Sequence, residues 1–456
     1  MFLGVPKSLV QRLGWTSLTY GLSQAMRLLN NVVLARLLAP EILGIMAVVN
    51  AIRTGVQLLS DMGIHQNIVS NPRGAEPDFY DTAWTIQAIR GFLLAAICAA
   101  IAIPAANFFE HPELAAILPV ASIFFIFTGL DSTGRGLLQK ELNVARFGMF
   151  EVVLAAFTLV AHVAAALVTR SIWALVMGSV ITGAATLIVS FFYIPGLRHR
   201  VIIHWESARQ LVTFGKWIFF SSIVFFLAMN FDRLYFAKQI TLEALGVYGV
   251  ARALADVVTL FISTCSSSVL FPTIAAAGLA PIELRRRILR GRRSLLFAAA
   301  VGMGLFLALS DVIIGILYDA RYSQAGAMLP ILAIGVWFGI LSSTNDSILM
   351  GLAKPAYPAI SNAAKLITYV LGMPLAFHFY GLMAAIWVIA AGEVVKYAAL
   401  WALSHKEHLR FGRDDLVLTL IFLGSALAFR ALAQTMGLAG AHPLEPGAIL
   451  EMIGQW

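Results

Sequence analysis

Long apolar stretches dominate this chain, and their length decides what it can fold into. A membrane-crossing α-helix needs about 20 mainly apolar residues, and twelve such stretches follow one another, with a weaker thirteenth over residues 416–436. The twelve predicted spans are 10–38, 42–69, 83–108, 114–138, 147–169, 171–194, 211–237, 243–271, 294–318, 325–351, 356–378 and 380–403. The sequence therefore predicts an all-α polytopic membrane protein with short loops.

The composition supports this class and argues against several others. Of the 456 residues, 60% are hydrophobic and only 12% are charged, with a mean hydropathy of +0.84, whereas soluble domains are about a quarter charged. Cys98 and Cys265 lie in separate apolar stretches, so we expect neither a disulfide framework nor a metal site. The chain has no glycine-rich phosphate loop ending in Lys-Ser or Lys-Thr. We therefore expect no nucleotide hydrolysis, no cofactor and no enzymatic activity.

Basic residues are distributed unevenly between the predicted loops. With the N-terminus in the cytoplasm, eighteen Lys and Arg residues fall on the cytoplasmic side, six of them within residues 285–293. Only three fall on the opposite side, namely Arg170, Lys238 and Arg321. Because cytoplasmic loops carry the excess of basic residues, this distribution predicts a cytoplasmic N-terminus. The basic stretch 284–293 is then interpreted as a topology anchor beside anionic lipids, not as a nucleic-acid site.

A shift of 202 residues aligns two parts of the chain without a gap. The twelve residues from Ala35, ARLLAPEILGIM, then meet AKQITLEALGVY from Ala237, with Gly44 aligned on Gly246. Six spans separate the two copies, and an even number gives halves of the same orientation, as in many transporters. We therefore predict two pseudo-symmetric six-helix lobes, residues 1–200 and 201–405, around a central cavity. Residues 406–456 are predicted to form a C-terminal extension with an extra helix.

Polar side chains recur at helical spacing inside the four spans that the repeat makes equivalent. Charged groups at such depth are costly unless they face a cavity or a partner, and the spacing places them along one face of each helix. The stripe residues of the first two spans are Tyr20, Gln24, Arg27, Asn31, Asn50, Arg53, Gln57 and Asp61, and those of the seventh and eighth include Asn230, Asp232, Tyr248, Arg252 and Asp256. One water-filled chamber would accommodate them all, whereas an internal ion-pair network is the alternative for any single residue.

The charges of these stripes predict the chemistry of the chamber. Arginine offers a planar, permanently charged donor that suits phosphate oxygens, so an anionic headgroup such as a pyrophosphate is the expected cargo. The predicted substrate-binding residues are Arg27, Arg53, Arg252, Gln24, Asn31 and Gln57. The carboxylates predicted to couple transport to H+ or Na+ are Asp61, Asp232 and Asp256. Charges elsewhere in the spans are interpreted as pairs between helices, and these are Asp131, Arg135, Glu151, Asp346, Lys365, Glu393 and Lys396.

Several segments carry a family resemblance that reaches to about Ser404. They include LARLLAPEILGIMAVV and DMGIHQNIV near the start, GRGLLQKELNVARF over 134–147, and FGKWIFFSSIVFFLAMNFDRLYFAK with LGVYGVARALADV further on. These segments resemble the polysaccharide transporter (Wzx-like oligosaccharide flippase) family of the MOP exporter superfamily. The resemblance implies a V-shaped cavity with alternating access and an undecaprenyl-pyrophosphate-linked oligosaccharide cargo for capsule, exopolysaccharide or O-antigen. It also implies cavity arginines on the first, second and eighth helices, which Arg27, Arg53 and Arg252 match.

Two other functions stay open from the sequence. A cation-coupled multidrug antiporter of the same superfamily would favour a cavity of carboxylates and aromatic rings, and the arginine excess counts against it. A membrane-embedded polysaccharide assembly enzyme would need a larger extracytoplasmic loop with catalytic groups. The expected partners are the lipid-linked oligosaccharide, the membrane, a coupling ion, and polysaccharide polymerase and assembly proteins, but no nucleic acid.

Overall fold

The computed structural model describes residues 7–58, 63–140, 144–192, 194, 197–277, 281–352, 354, 356–407, 409 and 411–438. Over these residues the chain is helical and contains no strand. The helices are α1 Lys7–Leu37, α2 Pro40–Leu58, α3 Ile64–Ser70, α4 Pro77–Ala100, α5 Ala102–Phe109, α6 Leu114–Leu130, α7 Gly134–Lys140, α8 Val144–Thr169, α9 Ile172–Ser190, α10 Trp205–Gln239, α11 Leu242–Ala277, α12 Pro281–Ala308, α13 Ser310–Leu317, α14 Ala325–Gly351, α15 Ala356–Lys406 and α16 Gly412–Thr435. Two short 3-10 turns lie at Pro72–Ala75 and Ala320–Tyr322.

The chain divides into two compact units. The first comprises Met1–Phe226 with Arg233–Gly246, and the second comprises Leu227–Asp232 with Val247–Trp456. In the first unit α1 packs on α8, and α4 packs on α6; in the second α14 packs on α15, and α12 packs on α16. This division follows proximity in space, whereas the predicted lobes follow the sequence repeat, so the lobe boundary near residue 200 stays a prediction.

The predicted spans are confirmed as helices, but four of them are interrupted. In the predicted span 42–69 the helix is broken at Gly63, whose φ of 58° is left-handed and which directly precedes α3. The predicted span 114–138 breaks at Asp131, whose backbone is not helical, and the Ser132 hydroxyl then accepts from the N–H of Gly134 at the start of α7. Two further interruptions lie between α4 and α5 and between α12 and α13. Because hydropathy is averaged over a whole span, such short breaks are not detected. The sequence therefore predicted one continuous span in each place where the chain forms two helices.

A glycine marks the division of α15 into two helices. Gly381 has φ 75° and ψ −165°, a conformation that L side chains rarely adopt, and it separates residues 356–380 from 382–406. This break confirms the predicted boundary between the spans 356–378 and 380–403. Within the described residues, eight helices are long and apolar enough to cross a membrane, counting α15 once. The protein is therefore a multi-pass membrane protein.

The last helix is held by buried ion pairs to the second unit. Arg430 of α16 donates to both carboxylate oxygens of Asp311 at 2.8 and 2.9 Å, and Arg292 of α12 pairs with Asp415 at 2.5 Å. The first of these pairs explains how Arg430, the one charged residue of the predicted span 416–436, is accommodated in the helix. Residues 284–293 lie within α12, which begins at Pro281, and Arg292 is fully buried, while the anchoring of this stretch beside anionic lipids stays a prediction.

Two glycines that the repeat aligns make reciprocal contacts inside the first unit. A Cβ on Gly44 of α2 would lie 2.0 Å from the carbonyl oxygen of Leu242, and one on Gly246 would lie 2.0 Å from that of Pro40. Pro40 and Leu242 are themselves 202 residues apart, so each partner is the repeat equivalent of the other. This reciprocity supports the predicted repeat and shows why both copies have glycine here.

Substituting Gly44 by alanine is expected to destabilise the protein by about 1–3 kcal/mol, because the new methyl group forces two backbones apart. Gly249→Ala is the matched control, since a methyl group at this position of α11 would meet nothing within 4 Å. This control is expected to gain about 0.5–1 kcal/mol through helix propensity. Thermal unfolding of the purified protein in detergent measures both, and equal midpoints would contradict the tight crossing.

Candidate functional site

The predicted residues of α1 divide between the interior and the surface. Gln24 is buried, and its side-chain amide donates a hydrogen bond to the Tyr20 hydroxyl of the same helix at 2.8 Å. Arg27 and Asn31, one and two turns further on, are exposed. Arg27 is thus a positively charged group on the surface of α1, which the sequence predicts to be a span.

The predicted residues of α2 lie in different environments. The Arg53 guanidinium carbon lies 4.2 Å from the centre of the Phe124 ring on α6, a cation–π contact within the first unit. Its Nε atom is buried and has no hydrogen-bond partner among the described residues. Gln57, one turn later, is exposed. Asp61 lies outside the described residues.

In the second unit three predicted residues come together. Asp232 of α10 is buried and accepts a hydrogen bond from the Tyr248 hydroxyl of α11. Arg252 places Nη1 3.5 Å from Asp232 and Nε 3.0 Å from Asp256, which lies one turn further along α11. Both predicted coupling carboxylates of this unit therefore share one arginine.

The structure extends this cluster with charges that the sequence had interpreted only as helix pairs. Lys365 and Glu393, both on α15, are 2.5 Å apart, and Lys396 lies 3.2 Å from Asp346 of α14. Those pairings are confirmed. Glu393 also lies close enough to Lys396 and Arg252 for coulombic interaction, so the two pairs and the Arg252 group form one buried network.

Among the described residues, the ion pairs of this network join four carboxylates to three bases. The carboxylates are Asp232, Asp256, Asp346 and Glu393, and the bases are Arg252, Lys365 and Lys396. A carboxylate that lacks a compensating cation is costly away from water and tends to bind a proton or a cation. The Oδ1 atom of Asp346 is buried without a hydrogen-bond partner among the described residues. Within the described part of the chain, Asp346 therefore has a buried carboxylate oxygen that is open to a proton or a cation.

The structure thus distributes the predicted site residues over both units. The first unit holds Gln24, Arg27, Asn31, Arg53 and Gln57, and the second holds Asp232, Arg252 and Asp256. A single chamber that all of them line stays a prediction. The described residues contain no group of three or more His, Cys, Asp or Glu side chains that would hold a metal ion.

Comparisons with known proteins place the chain in a family. A family model described as "Polysaccharide biosynthesis protein" matches residues 33–327. The lipopolysaccharide biosynthesis protein WzxC of Escherichia coli (strain K12) is 24% identical over 75% of this chain and 69% of its own length. The teichuronic acid biosynthesis protein TuaB of Bacillus subtilis (strain 168) is 22% identical over 76% and 72%. The succinoglycan biosynthesis transport protein ExoT of Rhizobium meliloti (strain 1021) is 20% identical over 98% and 90%.

Solved structures share the fold. The lipid II flippase MurJ in an inward closed conformation superposes with a TM-score of 0.75 at 14% identity, over 92% of each chain. An inward-facing multidrug resistance MATE family transporter of the MOP superfamily superposes with a TM-score of 0.62 at 13% identity, over 94% of this chain and 99% of that one. Since the family model covers well over half of the chain, the protein belongs to the polysaccharide biosynthesis protein family, as its sequence segments predicted.

Proposed function

We propose that this protein is a flippase for an undecaprenyl-pyrophosphate-linked oligosaccharide repeat unit. It moves the unit across the bacterial inner membrane by alternating access, for assembly of capsule, exopolysaccharide or O-antigen, and it carries out no catalysis itself. The family membership and the polysaccharide roles named for WzxC, TuaB and ExoT support this function.

The observation that carries the proposal is the presence of guanidinium groups on helices of both units that lie within the predicted spans. Arg27 is exposed on α1, Arg53 lies on α2, and Arg252 lies within the network on α11. Arginine is favoured where a phosphate must be held by paired hydrogen bonds, because its planar fork matches two oxygens at once. In this proposal the pyrophosphate contacts these groups with Gln24, Asn31 and Gln57, while the lipid tail stays in the bilayer.

The acid-rich network of the second unit is the proposed coupling site. Movement of H+ or Na+ on and off its carboxylates would drive the cycle, with Asp232 and Asp256 as the sequence predicted and Asp346 and Glu393 as additions. Asp61 stays a predicted member from the sequence alone. The proposed topology has a cytoplasmic N-terminus, and polysaccharide polymerase and assembly proteins are the proposed partners.

A cation-coupled multidrug antiporter is the second candidate. The shared fold with MATE transporters and the excess of carboxylates in the network favour it. It differs in cargo, since an organic cation would be repelled by Arg27, Arg53 and Arg252. Transport of a fluorescent organic cation, without flipping of a pyrophosphate-linked lipid, would support this candidate over the flippase.

A liposome flipping assay on Arg27→Ala, Arg53→Ala and Arg252→Ala tests the proposed function. Each substitution is expected to reduce the flipping rate about 10- to 100-fold, because a hydrogen bond to a charged group contributes roughly 1.5–3 kcal/mol. Arg198→Ala is the matched control, since this arginine is exposed in the loop between α9 and α10 and is expected to keep the wild-type rate. Wild-type rates in all three variants would contradict the arginine site.

A further inference from the structure

A cavity of about 390 Å³ lies inside the first unit, where the C-terminal ends of α2 and α6 and the middle of α4 meet α3 and α7. Its volume falls in the range of small-molecule pockets, roughly 300–1,000 Å³. In the proposed topology this end faces the cytoplasm. The polar residues that matter for its chemistry are Gln57, His65, Gln87, Arg90, Asp131 and Thr133. Only Gln57 among them was predicted from the sequence as substrate-binding.

Two buried polar groups of this cavity lack a partner among the described residues. Thr133 is only 4% exposed, and its Oγ1 atom makes no hydrogen bond. The Oδ1 atom of Asp131 is also buried without a hydrogen-bond partner. Buried polar atoms are nearly always satisfied in native proteins, so such a pair in a cavity wall indicates a ligand that supplies the missing bonds.

The wall that carries these groups is held in place by backbone contacts. The Gln87 amide of α4 donates to the carbonyl oxygens of Thr128, Gly129 and Asp131 at 3.1, 3.2 and 3.0 Å. A Cβ on Gly91 would lie 2.7 Å from the Cα atom of Gly129, so the two helices touch directly. The carboxylate and hydroxyl are therefore fixed before a ligand arrives, which reduces the entropy lost on binding.

The charges around the cavity favour a hydroxyl-bearing ligand over a phosphate. Arg135 is already paired with Glu151 at 3.0 Å, and Arg90 donates to the Gln57 carbonyl oxygen at 2.7 Å. The groups that lack partners are a carboxylate, which repels a phosphate, and a hydroxyl. Neighbouring hydroxyls of a sugar ring can donate to such a carboxylate and exchange bonds with such a hydroxyl.

We propose that this cavity is a saccharide subsite that holds a sugar ring of the cargo through hydrogen bonds to Asp131 and Thr133. The proposal rests on the flippase function proposed above and adds to it where the glycan binds. The pyrophosphate would contact the arginines of the spans, while the glycan is recognised separately at the end of the first unit. Because the pyrophosphate and the glycan bind at separate sites in this proposal, the cavity determines which glycan the protein accepts.

Binding affinities for two probes test the subsite. The probes are undecaprenyl pyrophosphate without sugar and the lipid-linked oligosaccharide extracted from the producing strain, each added to the full-length protein in nanodiscs. Thr133→Val and Asp131→Asn are each expected to weaken binding of the glycan-bearing lipid about tenfold, as the loss of one hydrogen bond predicts. Binding of the sugar-free lipid is expected to stay unchanged, which also shows that the variants fold.

Thr186→Val is the matched control, because the Thr186 hydroxyl bonds to the Thr182 carbonyl oxygen of its own helix and does not line the cavity. Equal weakening of both probes by Thr133→Val and Asp131→Asn would overturn the subsite and leave the flippase standing. Unchanged binding of both probes would overturn it as well. A wild-type protein that binds neither probe would overturn the proposed function itself.

The pH dependence of binding gives an independent readout of Asp131, which lies in the break between α6 and α7. Burial raises the pKa of Asp131 to about 7, against the opposing effect of Arg135. The carboxylate that accepts sugar hydroxyls is therefore present above pH 7 and is lost as the pH falls through 7, so the preference for the glycan-bearing lipid is expected to be larger at pH 8 than at pH 6. The other ionisable groups nearby are His65 on α3, Arg90 on α4, Arg135 with Glu151, and His199 with Asp81, the His199 Nε2 atom lying 2.8 Å from the Ser132 hydroxyl. Asp131→Asn is expected to abolish this dependence, and its persistence in that variant would assign it to His65 or His199 and overturn the role of Asp131.

Discussion

Substituting Arg292 by methionine is expected to lower the free energy of unfolding by about 3–5 kcal/mol, the cost of breaking a buried ion pair. Arg292 of α12 is fully buried and donates to both carboxylate oxygens of Asp415 on α16, at 2.5 and 3.1 Å. The variant leaves the Asp415 carboxylate buried without its cation, although the Tyr397 hydroxyl still donates to it at 2.8 Å. Denaturant or thermal unfolding in detergent measures the loss.

The adjacent residue provides the matched control for this pair. Arg293 pairs with Asp414 at the exposed side of the same helices, so Arg293→Met is expected to cost less than about 1 kcal/mol. Combining Arg292→Met with Asp415→Leu is expected to recover most of the lost stability, since an apolar pair removes the isolated charge. Similar small losses in both arginine variants would show that the buried pair contributes little to holding α16.

Arg292 also shows why the sequence could predict the helices but not their attachments. In LRRRILRGRR each arginine lies among other arginines and apolar residues, so the sequence does not tell which of them is buried. The helical phase of α12 directs Arg292 inward and Arg293 outward. Its partner Asp415 is 123 residues away. The span 416–436 looked weak because it contains Arg430, whose partner Asp311 is 119 residues away in the sequence, yet α16 is apolar enough to cross a membrane.

The candidate site was predictable where its contacts are local or repeated. Arg252 and Asp256 stand one helical turn apart on α11, so their pairing follows from spacing alone. Glu393 and Lys396 have similar spacing, yet their place beside Arg252 depends on how helices of the second unit pack. The contact of Arg53 could not be predicted from spacing. The polar stripe indicated that its helix face lines a cavity, but not that its guanidinium group stacks on Phe124 within the first unit.

The saccharide cavity depends on the break between α6 and α7, which hydropathy did not reveal. Residues 114–138 read as one span, and in a continuous helix Asp131 and Thr133 would point to different sides. The break at Asp131 instead brings both groups to one cavity wall. A charged residue followed by Ser-Thr-Gly at the end of an apolar stretch was the available signal, since these residues favour turns and helix starts.

Substituting Asp346 by asparagine is expected to uncouple flipping from the ion gradient. The amide keeps the size of the carboxylate and still offers an oxygen to Lys396, which lies 3.2 Å from it. The substitution removes the carboxylate whose buried oxygen is open to a proton or a cation, so position 346 no longer binds H+ or Na+. One charge moved through about 100 mV contributes about 2.3 kcal/mol, or roughly 50-fold in steady-state accumulation. Accumulation of the cargo in liposomes under an imposed H+ or Na+ gradient should therefore fall by up to about this factor.

Asp346→Asn distinguishes a coupling role of the network from a purely structural role. The asparagine changes the charge at position 346 but still offers Lys396 an oxygen that accepts a hydrogen bond. If the network only pins α14 to α15, Asp346→Asn keeps gradient-driven accumulation and changes stability alone. Asp319→Asn serves as the control, since Asp319 is half-exposed beside Arg321, outside the network, and is expected to retain full coupling. Lys365→Met provides the converse case: it adds to the acid excess and leaves Glu393 without its closest cation, so we expect it to lose stability and transport together. A coupling role thus requires that the neutralising variant fold normally and still fail to use the gradient.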